Sequence, residues 1–454
     1  MKTIFFTISR GSLIRNFLHT GVVSRLLENG NKVVVLTPAY DDKDLFEEYK
    51  DENLVFEPLI MPKKVRLKRL IAEMSKGAIF NKTIHIRYKY RFAGAKPRMI
   101  LYIPRILLLA PLRLIPGIKS LIWFLDARLN PQTEHDYLFQ KYKPDLVFVT
   151  TTTTDSDVGV LKSAIRFKTK TVCIPKSWDN LSRLLFRIKA DYMIVWSQFM
   201  KEQAIRYQGY EPRQIIVTGV PQFDQYASKK GLLSREEFCQ KHGFDPENKI
   251  ILYGSTGGHC FSEADYLELI QKFREKGHLK NAQVLIRPHL GYVGDVDKFE
   301  KLEKHKGFAI DRTDKQSDKF KDHWDTSKSH LSNLFNSLYH ADICINIAST
   351  LTLDSLFCNT EVININFDVR KDIDFNQSVK RFYKADYIEA VTSFGATWLV
   401  ESEDDFFEAL VSIVEKDMKK DEETKKKMID HFTYKNDGES ARRVADSLIR
   451  IINN

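Results

Sequence analysis

Three short stretches in the second half of the chain combine residue types that suit a phosphate-bearing ligand. The first, residues 251–259, ends an apolar run in Gly254, Ser255, Thr256, Gly257 and Gly258. Glycines let a ligand approach backbone N–H groups closely and the two hydroxyls add donors, so such a loop past a strand accepts phosphate, although a tight turn has the same composition. It has neither the Gly-Lys-Ser/Thr of a P-loop nor the G-x-G-x-x-G dinucleotide spacing. The second, Val-Leu-Ile-Arg-Pro-His, sets Arg287 and His289 just beyond a strand, with Pro288 fixing the turn. A guanidinium beside an imidazole is apt for a diphosphate. The third, residues 341–356, leads from a buried strand into Ser349 and Thr350 at a helix N-terminus, with Asp354 one turn on. Hydroxyls and N-terminal amides can hold phosphate there while the carboxylate reaches ribose hydroxyls. Helix capping explains any one of these residues, but not three such loops in half a chain.

Loops of this kind need strands to carry them. Short β-branched runs alternate with longer helical stretches along the whole sequence, the pattern of βα units around a parallel sheet. The first set falls at 2–9, 32–37, 54–59, 145–150, 169–174, 191–195 and 215–218, and the second at 249–253, 283–287, 308–310, 342–346, 362–366 and 397–400. Two successive arrays predict two doubly wound α/β domains, 1–225 and 226–454, ending in a helix from about 439 to 452. With 454 residues, 43% of them hydrophobic, the chain has apolar content for both cores and is not disordered.

The net charge of +10 is unevenly placed. Residues 61–125 hold fifteen Lys or Arg against one acid, Glu73, a net of +14 that leaves −4 for the rest. They belong to an insert, 61–140, between the third and fourth strand runs. Its opening puts Val65, Leu67, Leu70, Ile71 and Met74 near one helical face with cations elsewhere. Residues 99–125 are dense in Ile, Leu, Trp and Phe but are broken by Pro104, Pro111 and Pro116 and carry Arg105, Arg113 and Lys119. An Arg near a bilayer centre costs about 2.5 kcal/mol or more, so this stretch does not span. It is expected to attach the chain peripherally to an anionic membrane surface through 61–125; the alternative is that it packs as core helices with its cations in water. No nucleic-acid signature accompanies the charge, so no nucleic acid partner is expected. Five scattered cysteines without a C-x-x-C pair fit a reduced, cytoplasmic setting and supply no metal-ligand spacing. The expected location is the inner face of the cell membrane.

Arg287-Pro288-His289, Ala341-Asp342 through Ser349-Thr350-x-x-x-Asp354, and Asp437-Gly438-Glu439-Ser440-Ala441-Arg442-Arg443 resemble the tracts of CDP-glycerol glycerophosphotransferases, the teichoic-acid polymerases. More broadly they resemble GT-B glycosyltransferases and the UDP-N-acetylglucosamine 2-epimerase group. Pro175-Lys-Ser-Trp-Asp-Asn-Leu181 and the stretch 217–224 are similar to surface-polysaccharide members of that grouping. The resemblance implies two Rossmann-like domains facing a cleft, the nucleotide donor held mainly by the second and the acceptor by the first, with no cofactor and no obligatory metal. Carried over by position, Arg287 and His289 would act on donor phosphates, Ser349 and Thr350 would bind phosphate, and Asp354 the ribose region. Two departures favour sugar transfer over glycerol-phosphate transfer: Lys176, Ser177, Trp178, Asp179 and Asn180 replace a His-Gly tract, and Leu290 replaces a Pro after His289. Asp179 is then the first candidate for general base, with Asp155 and His19 behind it, and Lys176, Ser177, Trp178 and Asn180 join Gly11 and Ser12 as acceptor-side residues. The resulting expectation is transfer of a sugar from a nucleotide-sugar to a lipid-linked or growing surface glycan. CDP-polyol phosphotransfer and a non-enzymatic membrane- or RNA-binding scaffold are the alternatives.

Overall fold

The computed structural model describes all residues except 48, 63–65, 93–95 and 261, and not the side chains at 44, 46, 66–69, 90–92 and 96–99. Seven strands form the first sheet: β1 Thr3–Thr7, β2 Lys32–Thr37, β3 Leu54–Pro58, β4 Leu146–Val149, β5 Lys170–Cys173, β6 Tyr192–Val195 and β7 Ile215–Val217. Six form the second: β8 Lys249–Gly254, β9 Ala282–Arg287, β10 Phe308–Ile310, β11 Ile343–Asn346, β12 Glu361–Ile365 and β13 Trp398–Val400. The orders are β3-β2-β1-β4-β5-β6-β7 and β10-β9-β8-β11-β12-β13, and every pairing is parallel. Each of the thirteen β-branched runs becomes a strand. Central strands such as Val33–Val34–Val35–Leu36 are buried throughout, as a sheet covered on both faces requires. The order reverses between β1 and β4 in one sheet and between β8 and β11 in the other. Ligands of doubly wound sheets bind beyond the carboxyl ends of the strands at that reversal.

The chain divides into two compact units, Met1–Asp224 with Lys319–Lys321 and His431–Asn454, and Gln225–Asp318 with Asp322–Asp430. The expected second domain, 226–454, is thus corrected at its end: residues 431–454 belong to the first unit. The reason lies at the start of helix Ser440–Asn453. The Asp224 carboxylate accepts the N–H groups of Ser440 (3.0 Å) and Ala441 (2.7 Å), Arg443 donates to the Thr218 carbonyl, and Asp446 pairs with Arg25. Val444, Leu448 and Ile452 bury the helix's inner face.

The insert folds into helices, chiefly Arg66–Ala78, Lys82–Phe92, Lys96–Leu109 and Ile118–Leu129. Ile71, Ile79, Ile84, Tyr88, Leu109, Ile118, Ile122 and Leu185 form a buried cluster of their own. Of the face expected at its start, Ile71 and Met74 face this cluster, Leu70 is exposed, and Val65 and the Leu67 side chain lie outside the described residues. Asp126, fully buried, receives Lys162 at 2.9 Å and Arg187 at 2.7 Å, which ties the last insert helix to helix Asp155–Phe167.

Candidate functional site

In the second unit the loop after β8 holds its amides for itself. The Thr256 N–H donates to the Glu263 carboxylate (2.7 Å), Ser255 Oγ donates to the same group (2.9 Å), and the Gly257 N–H donates to Ser255 Oγ (3.0 Å). Glu263 is fully buried, and burial raises its carboxyl above the ordinary range although Lys298 lies 2.7 Å away. A Cβ on Gly254 would collide with Leu351, and one on Gly257 or Gly258 with the Tyr292 ring. Gly257 also sits at φ +68°, where a side chain is strained. The expected phosphate cradle is therefore corrected: these glycines admit Leu351 and Tyr292, and Glu263 occupies the anion's place at Ser255 and Thr256. Thr256 Oγ1 is buried with no hydrogen-bond partner among the described residues.

Arg287, at the end of β9, is buried with one guanidinium nitrogen on Asp311 and the other on Asp314. Burial alone would raise Asp314, but Arg287 and His330 outweigh it and hold its carboxyl well below the usual range. Arg287 is thus a structural cation, which corrects its expected place on the donor phosphates. Asp314, Asp325 and His330 bring ligand atoms within 4.8 Å of one another. Their protons and charges are already matched, however. The Trp324 indole N–H donates to His330 Nε2 (2.9 Å), which leaves the proton on Nδ1 to face Asp314 (2.9 Å), and Asp325 accepts the Lys315 and Ser327 N–H groups.

His289 stands differently. Its Nδ1 accepts the Gly291 N–H at 3.0 Å, so the ring proton is on Nε2, a neutral donor. Tyr292 and Trp324 flank the half-buried ring at 5.0 and 5.6 Å, and the Tyr292 hydroxyl meets His259 Nε2 at 2.7 Å. Tyr292, Trp324 and Glu263 were not evident as site residues in the sequence, since nothing in their spacing marks them.

After β11 the chain turns through Ala348 at φ +47°. Ser349 Oγ accepts the Leu351 N–H (3.2 Å), and Thr350 is exposed. Asp354 Oδ1 accepts the hydroxyl of buried Tyr226 (2.6 Å). Because Leu351 packs on Gly254 and Tyr292 on Gly257 and Gly258, all three loops meet at one sheet edge. His289, Ser349 and Thr350 lie on these loops, and Asp354 lies in the helix that follows the third.

In the first unit, Asp179 is buried in an ion pair with Arg183 and also accepts the Asn180 amide (3.0 Å). The carboxylate is thus engaged within its own turn, a correction to its expected role as general base. Its bond to Asn180 belongs to a turn in which Ser177 N–H reaches Asn180 Oδ1 at 3.2 Å. Trp178 is buried on Phe432 (ring centroids 5.6 Å apart) and is corrected from acceptor contact to core. Lys176, Ser177 and Asn180 remain half-buried. Asp155 pairs with Arg187 at 2.9 Å, and His19 meets the Tyr49 hydroxyl. Gly11 and Ser12 are buried in the first turn after β1. The reversal point is instead dominated by the five threonines 150–154, a run whose placement directly after a strand was the overlooked signal. Thr7 and Thr154 hydroxyls donate to fully buried Asp157, whose carboxyl burial raises.

A family model described as CDP-glycerol:poly(glycerophosphate) glycerophosphotransferase matches residues 175–450. The chain belongs to this family. Solved structures place the fold among GT-B proteins. They include UDP-GlcNAc 2-epimerase from Neisseria meningitidis bound to UDP-GlcNAc (TM-score 0.56, 14% identity, 99% of this chain and 100% of that one). The S. aureus MnaA-UDP co-structure gives 0.56 at 13% identity, over 100% and 97%, and a glycosyltransferase from Rickettsia africae ESF-5 gives 0.53 at 13%, over 99% of each. No curated protein matches the chain.

For this glycerophosphotransferase-family chain, one tract that carried the resemblance is structural. Asp437 pairs with Arg443 at 2.8 Å, and Glu439 with Arg442, at the start of the last helix. A Cβ on Gly219 would collide with Ser440, so stretch 217–224 and tract 437–443 are two halves of one joint in the first unit.

Proposed function

We propose that the chain transfers a sugar from a nucleoside-diphosphate donor to a hydroxyl of a lipid-linked or growing surface glycan at the cytosolic membrane face. The donor lies at the carboxyl edge of the second sheet and the acceptor at that of the first. His289 Nε2–H and the Ser349 and Thr350 hydroxyls receive the diphosphate; Asp354, steadied by Tyr226, accepts from the ribose. The acceptor oxygen bonds to the anomeric carbon as the bond from that carbon to the phosphate oxygen breaks. The electron pair departs with the nucleoside diphosphate and the hydroxyl proton passes to water. Catalysis is positioning and hydrogen bonding to the leaving group, without a cofactor or metal.

The observation that carries this reading is that two cations of the donor edge, Arg287 and Lys298, are committed to protein carboxylates. Arg287 is matched by Asp311 and Asp314, and Lys298 by Glu263 and Asp295. Attack on an anionic phosphorus leans on cations aimed at the phosphoryl oxygens, and these two are already paired; hydrogen bonds from His289, Ser349 and Thr350 to the departing diphosphate remain for attack on a sugar carbon. The family match favours the second reading, CDP-polyol phosphotransfer. Calorimetric titration with UDP, CDP and GDP tests the site itself. At least one should bind, and His289→Ala should weaken it by about tenfold, the loss of a hydrogen bond to a charged group. Failure of all three to bind would remove the donor site.

A further inference from the structure

The insert's helices turn two faces in opposite directions. Tyr102, Ile106 and Leu109 of helix Lys96–Leu109 pack with Ile118 and Ile122 of helix Ile118–Leu129 in the buried cluster. On the other side Ile100, Leu107, Leu108 and Leu114 are 73%, 69%, 73% and 74% exposed, and Ile103, Leu121, Phe124 and Leu129 are also bare. Chains that stay in water rarely keep so many large apolar side chains uncovered in one stretch.

Charge and geometry narrow what covers them. Arg113 and Arg128 are exposed beside these side chains and Arg105 partly so. The one acid between residues 96 and 129, Asp126, is turned inward onto Lys162 and Arg187. Arg105 is drawn onto Glu73 of the insert's first helix at 3.6 Å, so the outer face is apolar, with Arg113 and Arg128 as its cations and no carboxylate from residues 96–129. Ile100–Leu114 and Ile118–Leu129 meet at a bend of 106°, and among the described residues no single helix is long and apolar enough to cross a membrane. At 1.5 Å per residue the two segments reach only about 22 and 18 Å, against a hydrocarbon core of about 30 Å.

We propose that this bent helix pair lies flat on an anionic phospholipid bilayer, with Ile100, Ile103, Leu107, Leu108, Leu114 and Phe124 among the acyl chains and Arg113 and Arg128 at the headgroup phosphates. A second copy of the chain is the poorer fit, because two such faces would bring arginines together without a carboxylate between them. The proposal deepens the membrane part of the proposed function and is independent of which donor is used.

Flotation of the full chain with vesicles tests it. Wild type should float with phosphatidylcholine vesicles carrying about 30 mol% phosphatidylglycerol and about tenfold less with phosphatidylcholine alone. Leu107→Gln with Leu108→Gln and Phe124→Gln should cut partition by about tenfold or more at an unchanged melting temperature, since the side chains are already exposed. Arg113→Gln with Arg128→Gln should reduce binding to the anionic vesicles only. A fluorophore on Leu107→Cys should be quenched by nitroxide-labelled acyl chains. Wild type that stays unbound, or an apolar-face variant that floats like wild type, overturns the proposal. So does a dimer in vesicle-free sedimentation that the same variant dissociates. Nucleotide titration of these variants should be unchanged, so loss of lipid binding and loss of the donor site are separate results.

Discussion

Arg287 and His289 are two residues apart in one tract, yet their surroundings assign them different work. Removing the Arg287 guanidinium leaves Asp311 and Asp314 buried without their cation, a loss of about 3–5 kcal/mol for a broken buried pair. Urea unfolding of Arg287→Ala should show that loss, and His289→Ala should unfold near the wild-type midpoint; equal stability of the two variants would contradict the assignment. The sequence showed where the tract lies, because a strand followed by Arg-Pro-His is a local pattern. It could not show that the partners of Arg287 are 24 and 27 residues further on. Asp179 failed as a candidate base for a similar reason, although its partner Arg183 is only one helical turn's spacing away: spacing of that kind is common in turns that make no ion pair.

At the scale of elements, His135 joins the insert to the first sheet. It is fully buried, and its Nε2 accepts the Ile60 N–H at 3.0 Å just beyond β3. Burial lowers its pKa to about 4. The unfolded chain binds this proton below about 6.5 while the folded chain resists it, so stability falls as pH drops from about 6.5 to 4 and the loss levels off below that. The window corresponds to about 3 kcal/mol, and chemical denaturation across it should show a slope that His135→Gln lacks. Strands were the most legible elements, since parallel strands buried on both faces read as short β-branched runs. The glycine loop after β8 was legible as a loop and misread as a cradle. What fills it, Glu263 and Tyr292, comes from the following helix and from the loop after β9, and only tertiary structure brings those to it.

For the whole molecule, two parallel sheets were readable from two successive arrays of strand runs, but the points at which their orders reverse and the return of residues 431–454 to the first unit were not. That return depends on Asp224 capping a helix more than two hundred positions away, a pairing that no periodicity encodes. The +14 stretch was likewise visible as charge, while its division into a buried face and a bare one needed the helices to be placed. The central claim concerns which bond the enzyme breaks, and the nucleotide released on turnover reports it. Purified enzyme given a glycan or lipid-linked acceptor should convert a nucleoside-diphosphate sugar to the free nucleoside diphosphate, with the sugar joined to the acceptor. Inertness toward all such sugars, together with release of CMP from CDP-glycerol and glycerol phosphate on the acceptor, would contradict it.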